Sequence, residues 1–223
     1  MAWKIVIYSF VFGNVKFIVL DGNYIKTSNG SEPYCRRNYD KTMNDYPYVP
    51  REEIVWLRNE IKDEQMYYVI FSHQSLSNDF MKRGIFNRKE VRAILEQRNS
   101  NGKKVLFCMN GHDHGDDVKI INGIHYYTLN SMSYIWHGIK DTFNYSNEIH
   151  KKYPYLKDLI LYEEPLHVIV KIDENMNVQI DGMKGHYQNV TPKDIGMGNR
   201  WKGVSIEPKT SSLYIGVGDK KHL

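Results

Sequence analysis

Apolar residues crowd the first twenty positions, but Lys4 and Lys16 interrupt them and Gly13-Asn14 sits between the two runs. The pattern predicts two strands, Lys4–Phe10 and Val15–Asp21, joined by a tight turn. A polar stretch from Gly22 to Pro50 follows, punctuated by Asn29-Gly30, Pro33 and Pro47, and is expected to be loop. Pro50 opens a helix. Glu52 and Glu53 fall in its first turn, where they suit the positive end of the helix dipole, and Ile54, Leu57 and Ile61 recur at helical spacing. Tyr67–Phe71 is a short apolar run without helical period, ending at Ser72-His73, and predicts a buried strand. A second helix starts at Asn87, an expected N-cap with Glu90 three residues on, and puts Val91, Ile94 and Leu95 on one face. Asn101-Gly102 stops it. Lys104–Met109 then predicts another buried strand, which ends at Asn110-Gly111-His112.

Strands alternating with helices give an α/β layout, and both buried strands end in histidine. In such sheets, sites form where loops converge above the carboxyl ends of the strands. From Val118 onward the pattern changes to short strands: Val118–Ile121 and His125–Leu129 around an Asn122-Gly123 hairpin signal, then Leu166–Ile172 and Val178–Ile180. Tyr153–Tyr162 is expected to be a short helix. From Met183 no period remains, so residues 183–223 are expected to form an irregular arm on a domain spanning 1–182. Trp201, Val204, Ile206, Leu213 and Ile215 argue that the arm packs on the body.

The 223 residues suffice for one sizeable domain, and 41% hydrophobic with 25% charged residues is ordinary for a globular chain. The 17 tyrosines stand out, and their apolar rings with polar tips suit strands and cleft walls. A net charge of +4 is mild, and the basic residues come only in pairs such as Arg36-Arg37, Lys103-Lys104 and Lys151-Lys152, so there is no nucleic-acid signal. No segment approaches the roughly 20 apolar residues of a membrane span. No small-residue cleavage site follows the N-terminal run, so it is not a signal peptide, and a complete chain would be expected in the cytoplasm. Cys35 and Cys108 form neither a disulfide framework nor a CxxC knuckle; Cys108 reads as a small buried apolar residue.

The sharpest chemical feature is Gly111-His112-Asp113-His114-Gly115. Two imidazoles one residue apart, in a glycine-flanked turn leaving a buried strand, can both point into a site, and neutral imidazole is a ligand for Zn and Fe. His73 holds the equivalent place after another strand. The flanking glycines are expected to permit the tight backbone. Asp113, Asp116 and Asp117 crowd this turn and are expected to be solvated there. Gln74 and Asn130 also follow strands; contact with a substrate and backbone hydrogen bonding in a turn both remain open for them. Tyr24, Tyr126 and Tyr134 are candidates to line the cleft. His125 and His167 read as packed or surface residues within strands.

Phe71-Ser72-His73-Gln74 and Gly111-His112-Asp113-His114 resemble the fourth and fifth motifs of the calcineurin-like metallophosphoesterases, a strand ending in a ligand histidine and GHxH. Phe17–Asp21 and Tyr127-Thr128-Leu129-Asn130-Ser131 resemble the family's framing sequences, and the likeness runs from Lys4 to Ile135 with Leu166–Ile172 as a late strand. The resemblance implies part of a four-layer α-β-β-α sandwich. It further implies a phosphoester substrate and a dinuclear centre of divalent Mn, Fe or Zn, in which His73 and His112 hold one metal and His114 the other. The family's DxH, GDxxD and GNH motifs are absent. Gly13-Asn14-Val15 has Val15 where the histidine belongs, so no catalytic residue is assigned. The chain therefore looks like the C-terminal half of such a domain, incomplete or inactive alone, with an uncovered sheet edge expected to drive self-association. Two other readings stand beside it: a mononuclear His-only zinc protein, and a non-catalytic remnant or interaction module.

Overall fold

The computed structural model describes residues 7–34, 46–137, 145–188 and 190–217. The N-terminal hairpin is β1 (Tyr8–Phe12) and β2 (Val15–Leu20), turning at Gly13 with φ 57°. The segment expected to be loop instead contains β3 (Tyr24–Thr27), β4 (Gly30–Pro33) and β5 (Pro47–Tyr48), which pair as a small sheet in the order β4-β3-β5. Turn residues hid these strands because each is short and paired to its neighbours rather than patterned. Cys35, Arg36 and Arg37 lie outside the described residues. Helix α1 (Arg51–Glu60) and strand β6 (Tyr67–Ser72) follow, then α2 (Arg88–Arg98) and β7 (Val105–Asn110). Strands β8 (Asp117–Ile121) and β9 (Ile124–Thr128) form the expected hairpin around Asn122-Gly123.

Beyond them come β10 (Tyr134–Trp136), α3 (Asn147–Lys152), β11 (Leu159–Tyr162), β12 (Ile169–Ile172) and β13 (Val178–Asp181). Tyr153–Tyr162 is thus not a helix: a 3-10 turn at Leu156–Asp158 gives way to β11, whose Ile160 and Tyr162 alternate inward. The described part of the 183–223 stretch is more regular than its sequence suggests, with β14 (Tyr187–Gln188), β15 (Arg200–Trp201), β16 (Val204–Ser205) and β17 (Leu213–Ile215). Val204, Ile206 and Ile215 are buried, and β17 pairs with β13.

A six-stranded sheet in the order β1-β2-β6-β7-β9-β8 forms the centre, with β2, β6, β7 and β9 all parallel. One face packs α1 and α2 through Ile18, Ile70, Cys108 and Tyr126 against Ile54, Leu57, Val91 and Leu95. The other face packs Val69, Phe107 and Tyr127 against Val178, Ile180 and Ile215 of a three-stranded sheet, β12-β13-β17. The described residues therefore account for three layers: helices, a large sheet and a small one. Leu106 and Phe107 face the same way because the β6–β7 register skips between Tyr68–Val105 and Val69–Phe107; such a bulge re-aims consecutive side chains.

Two local expectations change. Asn87 makes no side-chain cap to α2; its amide instead clasps Val49, accepting from Val49 N at 3.0 Å and donating to Val49 O at 2.9 Å. Glu52 stays exposed at the start of α1, but Glu53 is fully buried and accepts from the Asp21 backbone N–H at 2.8 Å. Burial pushes the Glu53 carboxyl up to about 8 against an ordinary 4.5. The folded chain therefore holds a proton here that the unfolded chain releases, so this group's contribution to stability falls as pH rises from 4.5 to about 8. Glu53→Gln keeps the acceptor and removes the buried charge. Relative to wild type, it is expected to gain on the order of 1–3 kcal/mol between about pH 5 and pH 8, measured by urea denaturation at each pH. Parallel pH profiles for the two proteins would defeat this assignment.

Candidate metal centre

The parallel strands β2, β6 and β7 end side by side, which sets Asp21, His73 and His112 in a row at the carboxyl edge of the sheet. His112 Nδ1 lies 3.1 Å from His73 Nε2, and the two rings meet edge to face with centroids 4.9 Å apart. For comparison, two nitrogens on a tetrahedral ion at the usual ~2.0–2.1 Å stand about 3.3 Å apart. The pair is thus spaced either to share a proton or to share a cation. His73 is an exposed residue, yet loss of hydration lowers its pKa. In His112, burial, then the neighbouring His73, Arg83, His114 and Lys202, push the pKa down to about 3. Both rings are neutral at pH 7 and offer lone pairs, as ligands must.

His114 stands apart from this pair. Its ring meets Tyr134 edge-on at 4.8 Å and is hydrogen-bonded to the Tyr134 backbone, while its Nδ1 is buried with no hydrogen-bond partner among the described residues. Burial is also the main reason its pKa is lowered. A histidine whose second nitrogen is fixed by a backbone group and whose first is unpaired is arranged like a metal ligand. Its donor atom, however, does not converge with the other two: among the described residues, the one trio of His, Cys, Asp or Glu ligand atoms within 4.8 Å of one another is Glu163, Glu164 and His186. That trio is largely exposed and closed internally, since Glu164 accepts from both the ring and the backbone N–H of His186 at 2.6 Å. The residues present fit one cation at His73 and His112; the described carboxylates do not complete a second position. Asp21 is the nearest acid in the row, and its Oδ1 already accepts from the backbone and side-chain N–H groups of Asn23.

The glycines of the turn work differently from the expectation. Backbone tightness is carried by the histidines themselves, at φ 64° for His112 and 46° for His114. Left-handed backbone costs a non-glycine residue roughly 1–2 kcal/mol, and such strain collects at functional turns. Gly111 faces open space. Gly115 is needed for close approach, because a Cβ there would lie 2.4 Å from Val204 Cγ2 and 2.7 Å from Ser205 O.

The acids of this turn are not solvated as expected. Asp113 is 1% exposed, neither of its oxygens has a hydrogen-bond partner among the described residues, and burial raises its pKa to about 7. Asp116 is buried and accepts from Ser211 N at 2.9 Å, Ser211 Oγ at 2.6 Å and Tyr127 OH at 3.4 Å. Asn130 donates to the Glu207 and Lys209 carbonyls at 2.9 and 3.1 Å, which engages its amide with the C-terminal arm. Gln74 is buried and donates to Asn23 Oδ1 at 2.8 Å, while its Oε1 has no partner among the described residues. Of the candidate cleft tyrosines, Tyr134 touches the site, whereas Tyr24 and Tyr126 are buried in packed strands.

Among solved structures, the chain is similar to a dimetal phosphatase from Danio rerio, at 14% identity and a TM-score of 0.52 over 96% of this chain and 61% of that one. A second neighbour, GAP50, the anchor in the inner membrane complex of Plasmodium, matches at 13% identity and a TM-score of 0.42 over 96% and 54% of the two chains. The chain thus spans 61% and 54% of the lengths of these structures. Likeness at this identity concerns the fold alone: a mixed α/β architecture around a large sheet, like that of a dimetal phosphatase. No family model and no curated protein matches the sequence. Among the described residues, no helix is long and apolar enough to cross a membrane.

The unequal roles of the two glycines can be measured. Gly115→Ala is expected to cost about 1–3 kcal/mol, since the added methyl meets Ser205 backbone, whereas Gly111→Ala should stay within about 0.5 kcal/mol. Thermal unfolding of both variants decides it, and equal losses would mean the hairpin is not seated on this turn.

Proposed function

We propose that this chain carries the histidine half of a divalent-metal centre of the phosphoesterase type, with His73 and His112 holding one ion and His114 directed to a second. The observation that carries the reading is the 3.1 Å approach of two neutral imidazoles at the carboxyl ends of adjacent parallel strands. The dimetal phosphatase neighbour supports the choice of chemistry, and Mn, Fe and Zn are the ions considered. When bound, such ions lower the pKa of a coordinated water and offset the charge of a phosphoryl group in in-line displacement. The chain's own residues hold ligands in register: the Tyr134 backbone fixes His114, the edge-on contact fixes His73 against His112, and buried Asp113 lies between the two turn histidines. What these residues do not offer is a bridging carboxylate, so the chain alone is expected to be a weak binder and a poor catalyst.

Calorimetry with Mn²⁺ or Zn²⁺ is therefore expected to give no more than one equivalent of weakly held metal. His73→Ala and His112→Ala should each reduce affinity by tenfold or more, in line with the loss of one ligand or its support. Hydrolysis of aryl phosphate mono- and diesters should stay at background until a segment bearing DxH, GDxxD and GNH motifs is joined ahead of this chain. Two tightly held ions in the chain alone, or a two-metal restored protein inert to both substrates, would overturn the reading. A His-only zinc centre would differ by retaining one ion tightly through dialysis, with equal loss on mutating any of the three histidines.

The proposed partner beyond substrate is a second copy of this chain. Edge strand β1 exposes Phe10, Val11 and Phe12, at 51%, 56% and 80%, and pairs on one side only among the described residues; identical strands can pair antiparallel across such an edge. Light scattering at micromolar concentration should show dimers or larger species, and Phe12→Lys should shift the population to monomer. A wild-type monomer under those conditions would remove this partner.

A further inference from the structure

Two cations, Arg83 and Lys202, act on His112 from segments that supply no metal ligand. Arg83 ends a turn in which Phe80, Met81 and Lys82 are all left-handed, at φ 43°, 50° and 71°. Three consecutive bulky residues in that region are a marked outlier. The turn closes only through Gly84, where a Cβ would lie 1.9 Å from Asn78 O. Lys202 stands at the apex of the β15–β16 hairpin, itself at φ 48°. Its Nζ is 5.4 Å above the Phe80 ring and 5.0 Å above the Trp201 ring, and the Phe80 ring is 6.4 Å from that of His112. The two segments touch directly, because Asn78 Nδ2 lies 3.5 Å from Lys202 O and a Cβ at Gly203 would be 3.3 Å from the same nitrogen.

Among the described residues, neither Arg83 nor Lys202 has a carboxylate within ion-pair distance. Nearby acids are otherwise engaged: Asp117 faces Lys119 at 3.4 Å and Arg200 at 4.0 Å, and Asp79 faces Arg88 at 3.3 Å. Buried Asp113 is the one acid whose field reaches Lys202. Lys202 is half-buried, and desolvation followed by repulsion from Arg83 lowers its pKa. Lys202 sits over neutral rings and feels the like charge of exposed Arg83, with no carboxylate in ion-pair distance of either among the described residues; an anion between the two cations would offset that repulsion.

We propose that Arg83 and Lys202 form an anion clamp over His73 and His112 that takes a terminal, doubly charged phosphate in preference to a singly charged phosphodiester. Two cations delivered by separate loops match two charged oxygens of a monoester dianion, whereas a diester has one charge to share between them. The identity of the anion as phosphate rests on the phosphoesterase reading; the existence of an anion site does not.

The test uses the whole chain, freed of metal with EDTA at pH 7.5, in calorimetric titrations with inorganic phosphate, phenyl phosphate and dimethyl phosphate. Phosphate and phenyl phosphate are expected to bind at least about tenfold more tightly than dimethyl phosphate, as expected for losing a hydrogen bond to a charged group. Lys202→Gln and Arg83→Gln should each weaken phosphate by about tenfold or more, with Lys202→Arg restoring most of it. Circular dichroism confirms that the variants fold. Unchanged phosphate affinity in both Gln variants would overturn the clamp, and equal affinity for dimethyl phosphate would overturn its preference for a dianion. Phosphate binding that depends on Lys202 in a chain that takes up no metal would leave the clamp standing and remove the phosphoesterase reading. Metal uptake that depends on His73 and His112, with phosphate affinity indifferent to Lys202 and Arg83, would do the reverse.

Discussion

Asp116 is the pin on which the site depends. It directly follows the turn that carries His112 and His114, and it is buried against the C-terminal arm. Its carboxylate accepts from the backbone and hydroxyl of Ser211, and its backbone exchanges two hydrogen bonds with Ser205, at 2.7 and 2.9 Å. A buried carboxylate left without these donors would cost several kcal/mol, so the arm and the histidine turn are stable only together. Asn130 repeats the device one loop away, and Tyr162 and Tyr187 direct their hydroxyls at the Ile206 carbonyl from 3.3 and 3.0 Å. The tyrosine-rich composition thus has a structural use: phenols long enough to span from packed strands to the carbonyls of an irregular segment.

That pinning explains how strained backbone survives at the centre. Left-handed His112, His114 and Lys202 lie on segments whose ends are tied by strand pairing or by Asp116. The free energy stored in such positions is offset by the burial of Val204, Ile206 and Tyr127, each worth about 1.5–3 kcal/mol or more when removed from water. Gly115 sits where the two segments come closest, and that contact, rather than conformational freedom, is what glycine provides there.

What was legible in the sequence follows the range of the interactions that build each part. The strands β2, β6, β7 and β9 and the two long helices announce themselves because their apolar pattern is local and their partners are layered regularly above and below. That both His73 and His112 follow buried strands was readable from the apolar runs, but their pairing came only from the family resemblance; the structure sets them at the ends of adjacent parallel strands. The β3–β4 hairpin is local but hidden among turn residues, whereas β5, the clasp of Asn87 on Val49 and the strand at Leu159–Tyr162 are each decided by a partner more than twenty residues away. The arm is the extreme case. Asp116 and Ser211 are 95 residues apart, and no local period encodes their contact. Lys202-Gly203 falls in the stretch expected to be irregular, and nothing in the sequence placed its turn near the histidines.

The charge pattern at the site constrains what it can hold. Neutral His73 and His112 provide lone pairs, while Arg83 and Lys202 add positive field and buried Asp113 is only partly ionised near pH 7. The same repulsion that disfavours a proton on His112 acts, doubled, on a dication at the same nitrogens. A divalent ion therefore gains from the geometry and loses to the field, and the balance turns on negative charge supplied from outside the histidine set. A carboxylate ligand would provide it permanently, as in an intact dinuclear centre. A phosphate dianion between the two cations would provide it only while bound, which would make metal and anion bind cooperatively rather than independently. Neutral donors beside two cations that have no carboxylate partner among the described residues are thus better matched to an ion pair than to either ion alone.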